Sequence, residues 1–139
     1  MINQISVFLE NKPGELAEIT KILAENNVNL RAISIAETSD YGVLRMIADD
    51  SEQAAKVLMK NGNVISMTPV SVIEVPDRPA GLSDVLNVLA KADIDIEYMY
   101  ALVTKTVGKA YAVMRTNDED KAEKLLNDNG IELLDEAHI

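Results

Sequence analysis

An α+β fold built from two βαββαβ repeats in series is what this sequence predicts, on three observations. The turn Asn11-Lys12-Pro13-Gly14-Glu15-Leu16 returns as Asp77-Arg78-Pro79-Ala80-Gly81-Leu82. Asn61-Gly62 returns as Asn129-Gly130. Between these marks, apolar spacing alternates between strand and helix periods in the same order in each half. The offset is 66 from Pro13 to Pro79 and 68 from Asn61 to Asn129, so two extra residues fall around the second hairpin. The expected repeats are residues 1–68 and 69–139, packed side by side, each an antiparallel sheet with its helices on one face.

Taken in order, Ile2 to Leu9 alternates as a strand, with Ile5, Val7 and Leu9 on one face. Leu16, Ile19, Ile22 and Leu23 follow helical spacing, and Asn26-Asn27 ends that helix. Val28 to Thr38 reads as a strand whose apolar parity switches between Leu30 and Ile33, which predicts a bulge near Arg31-Ala32. Ser39 to Gly42 reads as a hairpin turn and Val43 to Ala48 as the return strand. Asp49-Asp50 supplies a helix start, Ala54, Val57 and Leu58 the buried stripe, and Gly62 a left-handed end. A short strand over Val64 to Met67 precedes the boundary at Thr68-Pro69.

The second half repeats the order. Val70 to Val75 is a strand, and Leu82, Val85, Leu86 and Leu89 a helix stripe. Ile94 to Thr104 and Val107 to Thr116 form a hairpin around Gly108. A helix over Asp118 to Asn129 and a strand over Ile131 to Leu134 complete it. Each repeat is about the size at which one core is only marginally stable alone.

Composition narrows the function classes. Apolar residues make up 47% and aromatics 4% of the 139 residues, so the core is aliphatic. The net charge is −10, with 6 basic and 9 acidic side chains in residues 1–68 against 7 and 14 in residues 69–139. Such a balance repels phosphate backbones and argues against nucleic acid and anionic membranes as partners. With no cysteine, disulfides, thiolate nucleophiles and Cys-ligated zinc are excluded, and the lone His138 is penultimate. No apolar stretch is long enough to span a membrane and no leader pattern is present, so a cytoplasmic location is expected.

Each repeated turn closes an apolar strand and opens a helix. Proline tolerates a helix start because the first amides there have no intrahelical partner. Glycine permits close backbone approach, and the helix dipole adds positive potential at the same place. Two anion-receptive corners follow. Asn11 and Asp77 also suit a plain role as helix caps, and Asn29 and Asp95 one as solvated residues at strand starts. The carboxylate clusters Asp49-Asp50 and Asp118-Glu119-Asp120 fit helix starts better than metal or acid–base chemistry, so no catalytic residue, metal ligand or cofactor is expected. Tyr98 and Tyr100 share a face with Ile94 and Ile96 and read as packing residues; the six Met read as core filler.

The βαββαβ order, the Asn-Lys-Pro-Gly-x-Leu turn and Val28-Asn29-Leu30 at the second strand resemble the ACT domain, a family of small regulatory modules on a ferredoxin-like frame. The resemblance covers nearly the whole chain. It implies that the repeats pair and that a free amino acid binds where one strand-to-helix loop meets the second strand of its neighbour. By position it assigns Asn11, Lys12, Pro13, Gly14, Glu15, Leu16 and Asn29 in the first repeat. In the second it assigns Asp77, Arg78, Pro79, Ala80, Gly81, Leu82 and Asp95, where both family asparagines are aspartates. Asn11 is then expected to face Asp95, and Asp77 to face Asn29, with loop amides on the ligand's carboxylate and the aspartates on its ammonium. The function implied is a non-catalytic sensor whose partners are a free amino acid, a second copy in a homodimer and a regulated metabolic enzyme. The alternatives are a structural oligomerisation module without ligand and a small ferredoxin-like enzyme.

Overall fold

The computed structural model describes residues 1–103 and 106–139. Eleven elements and a closing 3-10 turn follow one another: β1 (Ile2–Glu10), α1 (Glu15–Glu25), β2 (Leu30–Glu37), β3 (Tyr41–Ala48), α2 (Ser51–Lys60), β4 (Ile65–Pro76), α3 (Gly81–Lys91), β5 (Ile96–Leu102), β6 (Lys109–Thr116), α4 (Glu119–Asp128) and β7 (Leu133–Leu134). Packing divides the chain into two compact units, residues 3–68 and residues 69–139, the latter joined by Met1 and Ile2.

In the first unit, β3 lies between β1 and β2, with Leu44 opposite both Val7 and Ile35. On the far side of β1, the Phe8 amide donates to the Val64 carbonyl at 3.0 Å. Alternate residues Ile5, Val7, Leu9, Leu44 and Met46 face α1 and α2, whose Ile19, Leu23, Val57 and Leu58 complete one buried core. Burying each of those aliphatic side chains is worth about 1.5–3 kcal/mol. The predicted bulge is present, as a register shift between Leu30 and Ala32, and a matching shift falls between Ile96 and Tyr98.

In the second unit, β4 lies between β7 and β6, and β5 forms the far edge. Ile73, Val75, Ala112 and Met114 pack against Val85 and Leu89 of α3 and Ala122 and Leu126 of α4. In both units the sheet is antiparallel with its helices on one face, as the periodicity predicts.

All four helices end alike. The residue after the C-cap is left-handed (Asn27, Gly62, Asp93, Gly130). The next amide then reaches back into the last turn: Val28 to Leu23, Asn63 to Leu58, Ile94 to Leu89, Ile131 to Leu126. This motif corrects the expected strand starts. Val28, Ile94 and Ile131 spend their amides closing helices, so β2, β5 and β7 begin two residues later than their apolar runs suggest.

Three further expectations change. The hairpin turn is Thr38–Asp40, because the Thr38 amide and hydroxyl both donate to the Tyr41 carbonyl, at 2.8 and 2.9 Å, and draw Tyr41 and Gly42 into β3. The two short strands expected on either side of Thr68-Pro69 are one strand, β4. Proline's fixed φ suits extended backbone, and the Pro69 carbonyl accepts the Arg115 guanidinium at 2.7 Å. β6 starts at Lys109 rather than Val107; the expected strand end at Thr104 lies outside the described residues.

Candidate functional site

The two corners are built alike but finished differently. Both prolines lie outside the helices, a correction to the expectation of proline at the first helical position. The residue following each, Gly14 or Ala80, is the N-cap and is left-handed, at φ 90° and 68°. Neither α1 nor α3 receives a side-chain cap. By contrast, α2 is capped by Asp50, which accepts the Gln53 amide at 3.0 Å, and α4 by Asp118, which accepts the Lys121 amide at 3.1 Å. Asn11 and Asp77 are therefore not helix caps.

At the first corner Asn11 grips the β2–β3 hairpin: its side-chain amide donates to the Thr38 carbonyl at 2.7 Å and its main-chain amide to Asp40 at 3.3 Å. Lys12 bridges Glu10 at 3.3 Å and Glu15 at 3.4 Å. Its pKa is raised above the ordinary lysine value, chiefly by the hydrogen bond to Glu10 and then by that to Glu15. Glu15 stands at the first helical position, where its carboxylate already occupies the favourable dipole end.

At the second corner Gly81 holds that first helical position. A β-carbon there would lie 2.0 Å from the Pro76 carbonyl oxygen, so the close approach expected of a corner glycine is real here, whereas Gly14 has nothing within 4 Å. Arg78 donates to Asp84 at 3.0 Å and to the Pro79 carbonyl at 3.1 Å. Beside this corner lies a cavity of about 370 Å³. Val75, Met99, Ala101, Ala110 and Ala112 line it, with Asp77, Arg78 and Leu82 also on its wall. Leu82, expected in the helix's buried stripe, is 42% exposed instead.

Asn29 and Asp95 are exposed and sit just before β2 and β5. Within its own repeat each lies at the opposite end of that strand from the hairpin turn, so no single repeat brings them to its corner. Their backbones are pinned in matching fashion. The Asn29 amide donates to the Asp49 carboxylate at 3.0 Å and the Asp49 amide returns a bond to the Asn29 carbonyl at 3.0 Å; Asp95 and Asn117 do the same at 3.0 and 3.1 Å. This gives Asp49 and Asn117 a structural role and leaves the Asn29 and Asp95 side chains outside it. Tyr98 and Tyr100 are half-buried, with ring centroids 6.5 Å apart. His138 bonds Asp135, both exposed, and holds that carboxyl below its usual pKa.

The cavity floor is what sequence reasoning missed. The signal was available in the repeat itself: at the offsets of 66 and 68, Ala101 and Ala112 stand where the first repeat has Ile35 and Leu44.

A sequence profile described as an ACT domain pair matches residues 1–139. The chain belongs to this family of ACT domain pairs. It is 39% identical to protein BT0572 from Bacteroides thetaiotaomicron, whose crystal structure superposes with a TM-score of 0.89 over 96% of this chain and 91% of that one. The acetolactate synthase small subunit of Aquifex aeolicus is 26% identical over 132 residues, covering 88% of this chain and 69% of that protein. The ligand-free regulatory subunit of aspartate kinase from Thermus thermophilus shares the fold, with a TM-score of 0.66 at 14% identity over 91% of both chains. Among the described residues no helix of the ACT pair is long and apolar enough to cross a membrane, and no group of three or more His, Asp or Glu side chains is placed to hold a metal ion.

Proposed function

We propose that this ACT pair is a non-catalytic, cytoplasmic regulatory module that binds a free amino acid at a strand-to-helix corner and transmits the event to a metabolic enzyme. The observation that carries the reading is the second corner, where an uncapped helix start, a carboxylate and a guanidinium border an apolar cavity of about 370 Å³. An α-amino acid is complementary to that set. Amides near Ala80, Gly81 and Leu82 suit its carboxylate, Asp77 suits its ammonium, and the cavity suits its side chain. Arg78 is held by Asp84 in an exposed pair, which is weak enough to exchange for a ligand carboxylate.

By position in the family the first corner's Asn11, Lys12, Pro13, Gly14, Glu15 and Leu16 are the counterparts of these residues. The expected contribution of Asn29 and Asp95 to ligand binding belongs to the proposal and rests on the family resemblance. A small subunit of acetolactate synthase among the relatives supports an enzyme partner. Regulation requires that ligand binding favour one state over another, typically by about 1–3 kcal/mol of coupling.

Melting curves of the intact chain with each of the twenty amino acids test the reading. A ligand at a hundred times its Kd stabilises the fold by about 2.7 kcal/mol, and Asp77→Ala is expected to remove most of that shift. If no amino acid moves the melting temperature, the sensor reading fails. A scaffold reading then gains ground, and one observation favours it: β2 is an edge strand on which Ile33 and Ile35 are 43% and 46% exposed. A second copy of the chain pairing there as a homodimer would cover them. Introducing a charge at these positions, as Ile33→Lys and Ile35→Lys, followed by sedimentation, checks that partner.

A further inference from the structure

Taking the second corner as an amino-acid site, we infer that its ligand carries a large apolar side chain and that each chain takes one such ligand, at the C-terminal repeat alone. The strand registers make the comparison direct. Ile35 pairs with Leu44 in the first repeat and Ala101 with Ala112 in the second; Leu44 and Ala112 belong to the two cores, and the exposed Ile35 and Ala101 share their side of the sheet by register. The neighbouring positions on that side of the sheet nearly conserve volume, while Tyr100 and Tyr111, also on the cavity wall, stand where the first repeat has Ser34 and Val43. Leu9 opposite Gly42 becomes Val75 opposite Ala110, and Ile33 becomes Met99. Relative to the first repeat the two alanines remove about six side-chain carbons, three at the buried Leu44 position and three at the half-exposed Ile35 position.

Six carbons lies between the four heavy atoms of a leucine or methionine side chain and the seven of phenylalanine. Leu82 agrees with this. Its counterpart Leu16 packs against the first core, while Leu82 is left exposed on the cavity wall. The space is apolar at its floor and charged at its mouth, where Asp77 and Arg78 stand, so the occupant must be amphipathic in the same sense. At the first corner Ile35 and Leu44 stand where the second repeat has its alanines, and their side chains take up that volume. Glu15 occupies the first helical position where the second repeat has Gly81, so a carboxylate already stands at that helix end in the first repeat.

Calorimetric titration of the intact chain with L-leucine, L-phenylalanine, L-serine and L-aspartate tests the inference. Leucine or phenylalanine is expected to bind at least tenfold more tightly than serine or aspartate, at one molecule per chain. Ala112→Leu, which copies the first repeat, is expected to weaken that binding at least tenfold without lowering the unliganded melting temperature. Ala101→Ile is the second variant should Ala112→Leu misfold, and the same loss is expected. Tighter binding of serine or aspartate overturns the inference and leaves the amino-acid reading standing. Two molecules per chain, or unchanged leucine binding in both variants, also overturns it. If none of the twenty amino acids binds, the amino-acid reading itself falls and takes this inference with it.

Discussion

The two corners solve one geometric problem with the glycine in different places. In the first repeat the glycine is at the left-handed N-cap, Gly14, and the first helical residue is Glu15. In the second the N-cap is Ala80, which accepts a positive φ of 68°, and the glycine has moved one place on to Gly81. Conformation alone would favour the first arrangement, since a left-handed L-residue costs about 1–2 kcal/mol. The second is kept because the Pro76 carbonyl lies where a Gly81 β-carbon would be, so steric exclusion outweighs backbone preference there. The shift also strips the α3 start of the carboxylate that Glu15 places at the α1 start. Backbone geometry and receptivity to an anion thus change together.

The largest expected effect separates these two roles of glycine. Gly81→Ala forces a β-carbon to within 2.0 Å of a main-chain oxygen that has no rotamer to escape into. It is expected to cost about 3 kcal/mol or more, the upper range of overpacking penalties, read as a lower urea midpoint at unchanged slope. At the equivalent place in the first repeat, Glu15→Ala should stay within about 0.5 kcal/mol. Equal losses at both positions would mean that the corners are not the geometric counterparts described above.

A smaller pair of changes exchanges the N-caps. Gly14→Ala places a β-carbon in open space but in a left-handed conformation, and is expected to destabilise by about 1 kcal/mol. Ala80→Gly relieves the same strain while loosening the unfolded chain, and is expected to stabilise by no more than about 1 kcal/mol. Opposite signs in thermal melts support the account of the shifted glycine, and matching signs refute it.

How much of this could be read from the chain alone depended on the physics behind each feature. The repeats, the helices and the bulge near Arg31-Ala32 were legible because periodicity reports burial directly. Strand starts at Val28, Ile94 and Ile131 were not, because an apolar residue looks the same whether its amide joins a ladder or closes a helix. The cap role that the sequence also offers Asn11 fails for a similar reason. An asparagine near a helix start is a good cap in general, and only the fold brings the Thr38 carbonyl to 2.7 Å from its side-chain nitrogen. The cavity escaped notice because alanine is a normal core residue. Its meaning at Ala101 and Ala112 lies in what the other repeat carries at those positions, and that requires the strand register.

The smallest expected effect sharpens the electrostatic half of the comparison. The first corner holds a titrating cation, Lys12, between Glu10 and Glu15; the second holds Arg78 in an exposed pair with Asp84. The folded-state pKa of Lys12 lies above the ordinary 10.5, so its stabilising contribution is complete below pH 10.5. That contribution is lost as pH rises through the raised value. An NMR titration of the Lys12 side chain should therefore show a midpoint above 10.5 that falls back towards it in Glu10→Gln, the larger cause, and less in Glu15→Gln. Added salt should move the midpoint in the same direction, because the group is fully exposed and its partners are screened. A Lys12 midpoint indifferent to both substitutions would break the contrast, leaving the first corner's cation as free as any other surface lysine.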